Sequence, residues 1–471
     1  MMIVSAWRVW VFMSKSKRME IFYASCNRSK SYREEIKMYK LSECVHIVDG
    51  KNSKVAFNDY NFKVIDLSED LYSRIQKIKD YEDEIVENIE EFTYLINNNF
   101  IVKSDRNELL ERDKKIEFIR KKIAETGDSS IGYMRVSLTE QCNLRCKYCF
   151  VNEIISDRSN MSEEMFRKAV ETLISGSKSP RIQYFGGEPL IRMELIILGH
   201  QMLSTAQKYG HIDNFTEEIV TNGTLLTEDK MNFFIENNIA LIFSIDGWKE
   251  IHDKNRVNIQ GNGTFDIVIE KFLLFKDKGG KAEMIITPNE DNIDILDQVI
   301  EFLVETYHIT SVSINAPQPN EKGWSIDGKK LAKKVINSYL YCEERDIHLS
   351  APGMNLVYNL LRNRYQIFSC TNVGTLKHRK WGLYLLGTGE VSYCNVERSK
   401  SSCESFDNFM ITERFDEWHL KNNRTEKCKK CLAYSVCIGP CSMEKLMIGN
   451  EKILNNKCMF NRTIVKWALT R

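Results

Sequence analysis

Cys142, Cys146 and Cys149, in SLTEQCNLRCKYCF, are spaced CxxxCxxC. Thiolates are soft ligands, and three in one short loop suit an iron–sulfur cluster with one iron left open. A structural zinc site closes with four ligands, and no fourth stands nearby in the sequence. A second group, CKKCLAYSVCIGPC, places Cys428, Cys431, Cys437 and Cys441 at CxxC-x5-CxxxC. Four thiolates there could close a tetrahedral zinc site or belong to an iron–sulfur centre. Cys370, Cys394 and Cys403 lie upstream and Cys458 downstream. Disulfide frameworks belong to small secreted domains, whereas this chain has 471 residues and 14 cysteines, many in tight clusters that suit metal. Cys26, Cys44 and Cys342 fall in no pattern and read as small buried hydrophobes.

The elements that must position these residues can be read from periodicity. From about residue 131, strand-like runs (MRVSL, RIQYF, EIVT, ALIFSI, AEMIIT, SVSIN) alternate with helical segments. The first helix is well marked. Ser162 can cap it, Met165, Phe166, Ala169, Val170, Leu173 and Ile174 form its apolar stripe, and Gly176 can end it. Six β/α repeats predict a parallel sheet, open or curled into a partial barrel, with ligands at the C-terminal ends of the strands. The CxxxCxxC loop follows the first of these strands. Past residue 350 the rhythm fades and cysteines take over.

Ahead of the repeats, CVHIVDG, KVAFNDYN and FKVIDLS alternate as three strands, with DGKNS as turn chemistry. Leu71, Ile75 and Ile78 share one helical face, Ile85, Ile89, Phe92 and Leu95 a second, and Phe100–Val102 reads as a short closing strand. This makes a small α+β module, followed by a charged connecting helix over 104–126 whose charges are expected to face solvent. The fold class is therefore α/β. A winged-helix-like α+β module occupies 20–103, a helical linker 104–130, a partial (β/α)6 TIM-like barrel 131–330, bridging helices 331–364, and a cysteine-rich iron–sulfur domain 365–471.

Four features after the first strand resemble the radical S-adenosylmethionine enzymes. They are CxxxCxxC, Gly186-Gly187-Glu188-Pro189, Thr221-Asn222-Gly223, and Ser244-Ile245-Asp246-Gly247 with HDKNR after it. They occur in that order within residues 131 to about 315. The resemblance implies that Cys142, Cys146 and Cys149 hold a [4Fe–4S] cluster whose fourth iron binds S-adenosylmethionine. Reductive cleavage then gives a 5′-deoxyadenosyl radical that abstracts hydrogen. It further implies cofactor contacts from Gly186 and Gly187, where the backbone approaches closely, and from Glu188 to the amino group. Asn222 belongs to the same set, with Ser244 and Asp246 at the ribose and Tyr148 along the adenine. His252 reads as a structural hydrogen bonder. Residues 365–471 resemble the SPASM domain, which carries two auxiliary [4Fe–4S] clusters. Carried over, Cys428, Cys431, Cys437 and Cys458 close one cluster, and Cys441 joins Cys370 and Cys394 on the other. Cys403 is a candidate fourth ligand there, the alternative being an open iron. The gap from Cys370 to Gly389 is longer than that family's pattern. The front module resembles the PqqD-like element that binds the leader of a precursor peptide by adding a strand to a sheet edge. Phe62, Val64 and Asp66, with the helix from Ile85 to Tyr94, would form its groove.

The function expected on this basis is maturation of a ribosomally made peptide by installing a cysteine thioether, as in sactipeptide and related maturases. Carbon–carbon crosslinking, sulfatase-type side-chain oxidation and a non-catalytic iron–sulfur protein are the alternatives. The expected partners are the precursor peptide and a flavodoxin- or ferredoxin-type electron donor. A net charge of +1 gives no basic field for nucleic acid. The N-terminal apolar run, with Arg8 inside it and its further basic residues after it, is too short to span a bilayer and lacks the signal-peptide charge order. It reads as an upstream start codon, with the chain proper beginning near Met13 or Met19, and the protein as cytoplasmic.

Overall fold

The computed structural model describes residues 39–79, 89–126, 130–149, 159–317, 326–368, 374–375, 380–392, 403–407, 420, 422–440 and 451–471. Cys26, Cys370, Cys394 and Cys441, and Ile85 of the expected groove, lie outside these residues, as do the side chains of Cys403 and Ile89.

The front module opens with strands β1 (Tyr39–Leu41), β2 (Val45–Asp49), β3 (Lys54–Asn58) and β4 (Lys63–Leu67). Helices α1 (Glu69–Lys79) and α2 (Ile89–Asn97) follow, then β5 (Ile101–Lys103) and the long helix α3 (Glu108–Thr126). β2, β3 and β4 form an antiparallel meander, and β5 returns to pair with β1. The period-2 pattern gives this sheet two apolar faces. Ala56, Leu67, Ile75, Ile78, Leu95 and Phe100 form a small core under the helices. Val48, Val55, Phe57 and Phe62 point the other way and join the main core of the molecule.

That main core surrounds a large, mostly parallel sheet. Its strands are β6 (Ile131–Thr139), β7 (Arg181–Gly186), β8 (Thr216–Thr221), β9 (Ala240–Ile245), β10 (Ala282–Ile286), β11 (Ser311–Ile314) and β12 (His348–Ser350). The six predicted repeats are β6–β11, and their order in the sheet follows the chain. The sheet also extends past both ends of that set. β12 adds in parallel beside β11, and β14 (Lys380–Leu385) pairs in parallel with β6. β15 (Glu390–Ser392) and β16 (Cys403–Ser405) continue antiparallel from β14, whose other pairing is with the short β13 (Gly374–Thr375). The architecture is that of an open partial barrel. The helix after β6, α4 (Glu163–Gly176), begins at Ser162, whose side chain accepts from the Met165 N–H, and ends at Gly176, as its sequence predicts. Burial of Phe166, Val170 and Leu173 on its inner face contributes about 1.5–3 kcal/mol each. Gly176 is required by packing: a Cβ there would lie 2.3 Å from the Ile131 carbonyl oxygen at the start of β6.

The charge run of α3 departs from expectation. Arg112 is 0% exposed and Arg120 is buried, so one charged stripe of the helix faces inward. The reason is a long-range partner set, described below. No helix among the described residues is long and apolar enough to cross a membrane.

Candidate active site

The C-terminal ends of β6–β9 gather the predicted residues. β6 ends at Thr139, whose hydroxyl accepts from Gln141 N–H at 3.0 Å and starts the cysteine loop. The loop is clamped from two sides. On one side Gly187 N–H donates to Thr139 O (2.7 Å) and Glu188 N–H to Gln141 O (2.9 Å). On the other, Arg145 N–H donates to Val257 O (2.7 Å) and Lys147 N–H to Asn255 O (3.0 Å). The close approach explains the glycine pair. A Cβ on Gly187 would lie 2.1 Å from Gln141 O, and Gly186 holds a left-handed φ of 126°.

Cys142, Cys146 and Cys149 lie close enough to one another for their charges to interact. Burial pushes the Cys142 thiol up to about 12 and the Cys146 thiol up to about 11; Arg256 opposes the rise at Cys146. Leu144 N–H points at Cys142 Sγ from 3.4 Å. Asn222 donates to Asn143 Oδ1 at 3.0 Å, and Asn143 to Thr224 at 2.7 Å, tying the Thr221-Asn222-Gly223 turn to the cysteine loop. Among the described residues no three His, Cys, Asp or Glu side chains converge tightly enough for one metal ion. A mononuclear zinc site needs its sulfurs roughly 4 Å apart, since each sits about 2.3 Å from the metal. A [4Fe–4S] cluster, in which each thiolate holds a different iron, accepts a wider spread. Three soft thiolates on one loop are the donor chemistry a [4Fe–4S] cluster takes, and metal binding would displace the Cys142 and Cys146 thiol protons that burial retains.

Glu188 is 1% exposed. Its Oε1 accepts from Leu190 N–H (3.1 Å) and the Thr221 hydroxyl (2.7 Å), and its Oε2 from Asn222 N–H (2.9 Å). Three of its four acceptor positions are used within the protein, which leaves one on Oε2 for an ammonium donor. Burial pushes this carboxyl above the ordinary range, against the pull of those three donors.

Asp246 is 0% exposed. Tyr148 donates its hydroxyl to both carboxylate oxygens (2.7 and 2.6 Å), and Arg256 Nε lies 3.1 Å from Oδ1. The Arg256 guanidinium also lies 5.6 Å from the Tyr148 ring centre. The carboxylate therefore faces Tyr148 and Arg256, between the cysteine loop and the 255–258 segment. Ser244 is half-buried in β9, in register with Ile285 of β10. Arg256 was missed by sequence reasoning. Its signal was present in HDKNR, where only His252 was weighed.

His252 is buried, with Nε2 3.1 Å from the Thr264 hydroxyl. That hydroxyl already donates to Arg256 O at 2.8 Å, so it must accept from His252, which fixes the Nε2–H tautomer. Burial, aided by Arg256 and Lys249, pushes the imidazole down to about 3 from an ordinary 6.5. The unfolded chain therefore takes up a proton below about pH 6.5 that the folded chain refuses. The stabilisation is complete above that pH and is lost as pH falls toward 3. Urea midpoints between pH 7 and 5 are expected to fall more steeply for the wild type than for His252→Gln, which keeps a donor and does not titrate. Equal slopes would remove His252 from this role.

At the other end of the chain, Cys428, Cys431, Cys437 and Cys458 come within electrostatic reach of one another. N–H groups aim at their sulfurs: Thr425 N–H at Cys428 (3.4 Å), Gly439 N–H at Cys437 (3.3 Å) and Asn461 Nδ2 at Cys437 (3.2 Å). All cysteines whose side chains are described are free, and Cys44 and Cys342 are buried, as small hydrophobes would be.

The model of the Radical SAM superfamily matches residues 136–303. That span, and not the chain as a whole, is what the match shows to be similar to the radical SAM superfamily. It is 29% identical over 172 residues to a cysteine-type anaerobic sulfatase-maturating enzyme of Clostridium novyi, covering 35% of this chain and 45% of that protein. It is 31% identical over 160 residues to a serine-type counterpart of Bacteroides thetaiotaomicron, covering 32% and 38%. The chain thus spans less than half the length of these two relatives. With the radical SAM cyclopropyl synthase TigE of Paramaledivibacter caminithermalis it shares 24% identity over 365 residues, 72% of this chain and 73% of that protein. Among solved structures, native anSMEcpe with bound AdoMet superposes with a TM-score of 0.60 at 20% identity, covering 71% of this chain and 96% of that one. Streptococcus suis SuiB bound to precursor peptide SuiA gives 0.50 at 15% identity, covering 88% and 98%. Both likenesses are of fold.

Proposed function

We propose that this chain is a radical S-adenosylmethionine maturase of a ribosomally synthesised peptide, and that it joins a cysteine sulfur to a carbon of that peptide. The observation that carries the reading is the CxxxCxxC loop held at the strand ends by Gly187 and Glu188 on one side and by residues 255–257 on the other. Bound there, a [4Fe–4S] cluster with S-adenosylmethionine supplies a radical that abstracts hydrogen from an unactivated C–H. The chain's own residues bind and orient. Cys142, Cys146 and Cys149 hold the cluster, Glu188 Oε2 accepts from the ligand's amino group, and the glycine pair lets it approach the backbone. Ser244, Asn222, Tyr148 and Asp246 complete the cofactor contacts. Cys428, Cys431, Cys437 and Cys458 hold one auxiliary cluster, and Cys370, Cys394 and Cys441 a second.

The front module is read as the PqqD-like element. β4 ends its sheet with one edge unpaired among the described residues, the geometry a leader strand needs. Asp66 is exposed on that edge, whereas Phe62 is buried and packs on Tyr365, away from a groove. Electrons would come from a flavodoxin or ferredoxin in the cytoplasm.

The test is anaerobic incubation of the reconstituted full chain with reductant, S-adenosylmethionine and the short peptide encoded beside its gene. A product two hydrogens lighter with fewer alkylatable thiols is the expected result. The same mass loss with every thiol free would replace the thioether by a carbon–carbon bond, a reading favoured by the likeness to a cyclopropyl synthase across most of the chain. An untouched peptide, with conversion of a cysteine or serine in a sulfatase-derived peptide, would establish the sulfatase-type reading that the first two relatives favour.

A further inference from the structure

The front module and the C-terminal cysteine loop meet through α3. Arg112 Nη1 donates to both oxygens of Asp59, after β3 (2.8 and 2.7 Å), and Nη2 donates to Lys429 O (2.7 Å). Lys429 lies between Cys428 and Cys431. The Arg112 guanidinium sits 3.7 Å from the centre of the Tyr434 ring, and Tyr434 donates to Asp113 of the same helix. Ser435 donates to Asp59 O, so both ends of the Asp59 residue reach the cysteine segment. Arg112 and Asp59 are both fully buried. A buried ion pair is costly to assemble and weak evidence of stability by itself, yet removing one partner strands the other's charge. A mere spacer helix would have no need of it. Here one guanidinium, out of contact with solvent, donates through Nη1 and Nη2 to two segments 370 residues apart.

We infer that Arg112 is a positioning residue for the Cys428–Cys431 loop, so that the front module is a structural support of the C-terminal iron site as well as a peptide-binding element. The inference rests on the proposed reading that these cysteines hold iron. It implies that the front module cannot be detached from the cluster domain without disturbing the cluster, and that whatever shifts the β3–β4 turn shifts the loop between the first two cluster ligands.

The experiment uses the reconstituted full chain. Iron release to a colorimetric chelator and the EPR spectrum of the reduced protein are recorded for wild type and for Arg112→Met, Arg112→Lys, Asp59→Asn and Glu43→Gln. The last breaks only the half-exposed Glu43–Lys430 pair and serves as control. Release of the C-terminal iron is expected to quicken more than about tenfold in Arg112→Met, with an altered EPR signal. Arg112→Lys, which keeps the charge but cannot hold both partners, should fall between, and Glu43→Gln should match the wild type. Asp59→Asn strands the Arg112 charge and should quicken release likewise, and Arg112→Met with Asp59→Leu, which removes both charges, guards against a variant that does not fold and should still release iron faster than the wild type. Variants that lose thermal stability while keeping the wild-type iron release and EPR signal would overturn the inference. Cys428→Ala with Cys431→Ala provides the separate check: full iron retention there would sink the reading of the site itself.

Discussion

Replacing Cys142, Cys146 and Cys149 together by alanine is expected to remove about four irons per chain and to reduce 5′-deoxyadenosine release to the background without protein. The triple variant removes every cysteine of the CxxxCxxC motif. Its backbone is held from both sides by hydrogen bonds that do not involve the thiols, so the variant should retain its fold. The pair Cys428→Ala and Cys431→Ala should lose iron too, but should still release 5′-deoxyadenosine, because those cysteines lie in a different part of the molecule. Iron analysis and chromatography of the nucleoside product check both. A triple variant with unchanged iron would mean that the CxxxCxxC loop holds no cluster.

The second large effect concerns Arg256. Replacing it by methionine would leave the Asp246 carboxylate fully buried without its cation, at a cost of about 3–5 kcal/mol in folding stability. The damage should also reach the cysteine loop. Val257 and Asn255 supply the carbonyls that hold Arg145 and Lys147, and Tyr148 between the cysteines is anchored on Asp246. Urea midpoints and iron content are expected to fall together. Combining Arg256→Met with Asp246→Leu removes both charges. It should recover much of the stability while 5′-deoxyadenosine release stays low. Recovery of release in the double variant would show that the pair only serves folding.

What the sequence makes legible follows from where the information lies. The α4 stripe, its Ser162 cap and its Gly176 stop are local, and the helix has those bounds. The six strands of the repeat are period-2 or continuous apolar runs, and they pair in chain order. Motifs at strand ends, such as Gly186-Gly187-Glu188, are legible because strand ends are where such sheets place ligands. Pairings across long stretches of chain carry no local signal. Nothing near Lys380 announces that β14 lies beside β6, since a strand's period says which face is buried and not which neighbour it takes. Arg112 misled for the same reason. Within α3 it looks like one more charge of a solvated helix, and only Asp59, 53 positions earlier, and Lys429, 317 later, explain its burial. Arg256 stood inside a motif, but its partner Asp246 had been given to the ligand, and a residue assigned one role hides a second.

The most direct test of the central claim is the EPR spectrum of the dithionite-reduced full chain, recorded with and without S-adenosylmethionine. If Cys142, Cys146 and Cys149 hold a four-iron cluster with one iron open, adding S-adenosylmethionine should shift the g values of one cluster's signal. The shift should disappear in the triple alanine variant and persist in Cys428→Ala with Cys431→Ala. A spectrum indifferent to S-adenosylmethionine in the wild type would contradict the account, because an iron that takes no external ligand cannot bind the cofactor.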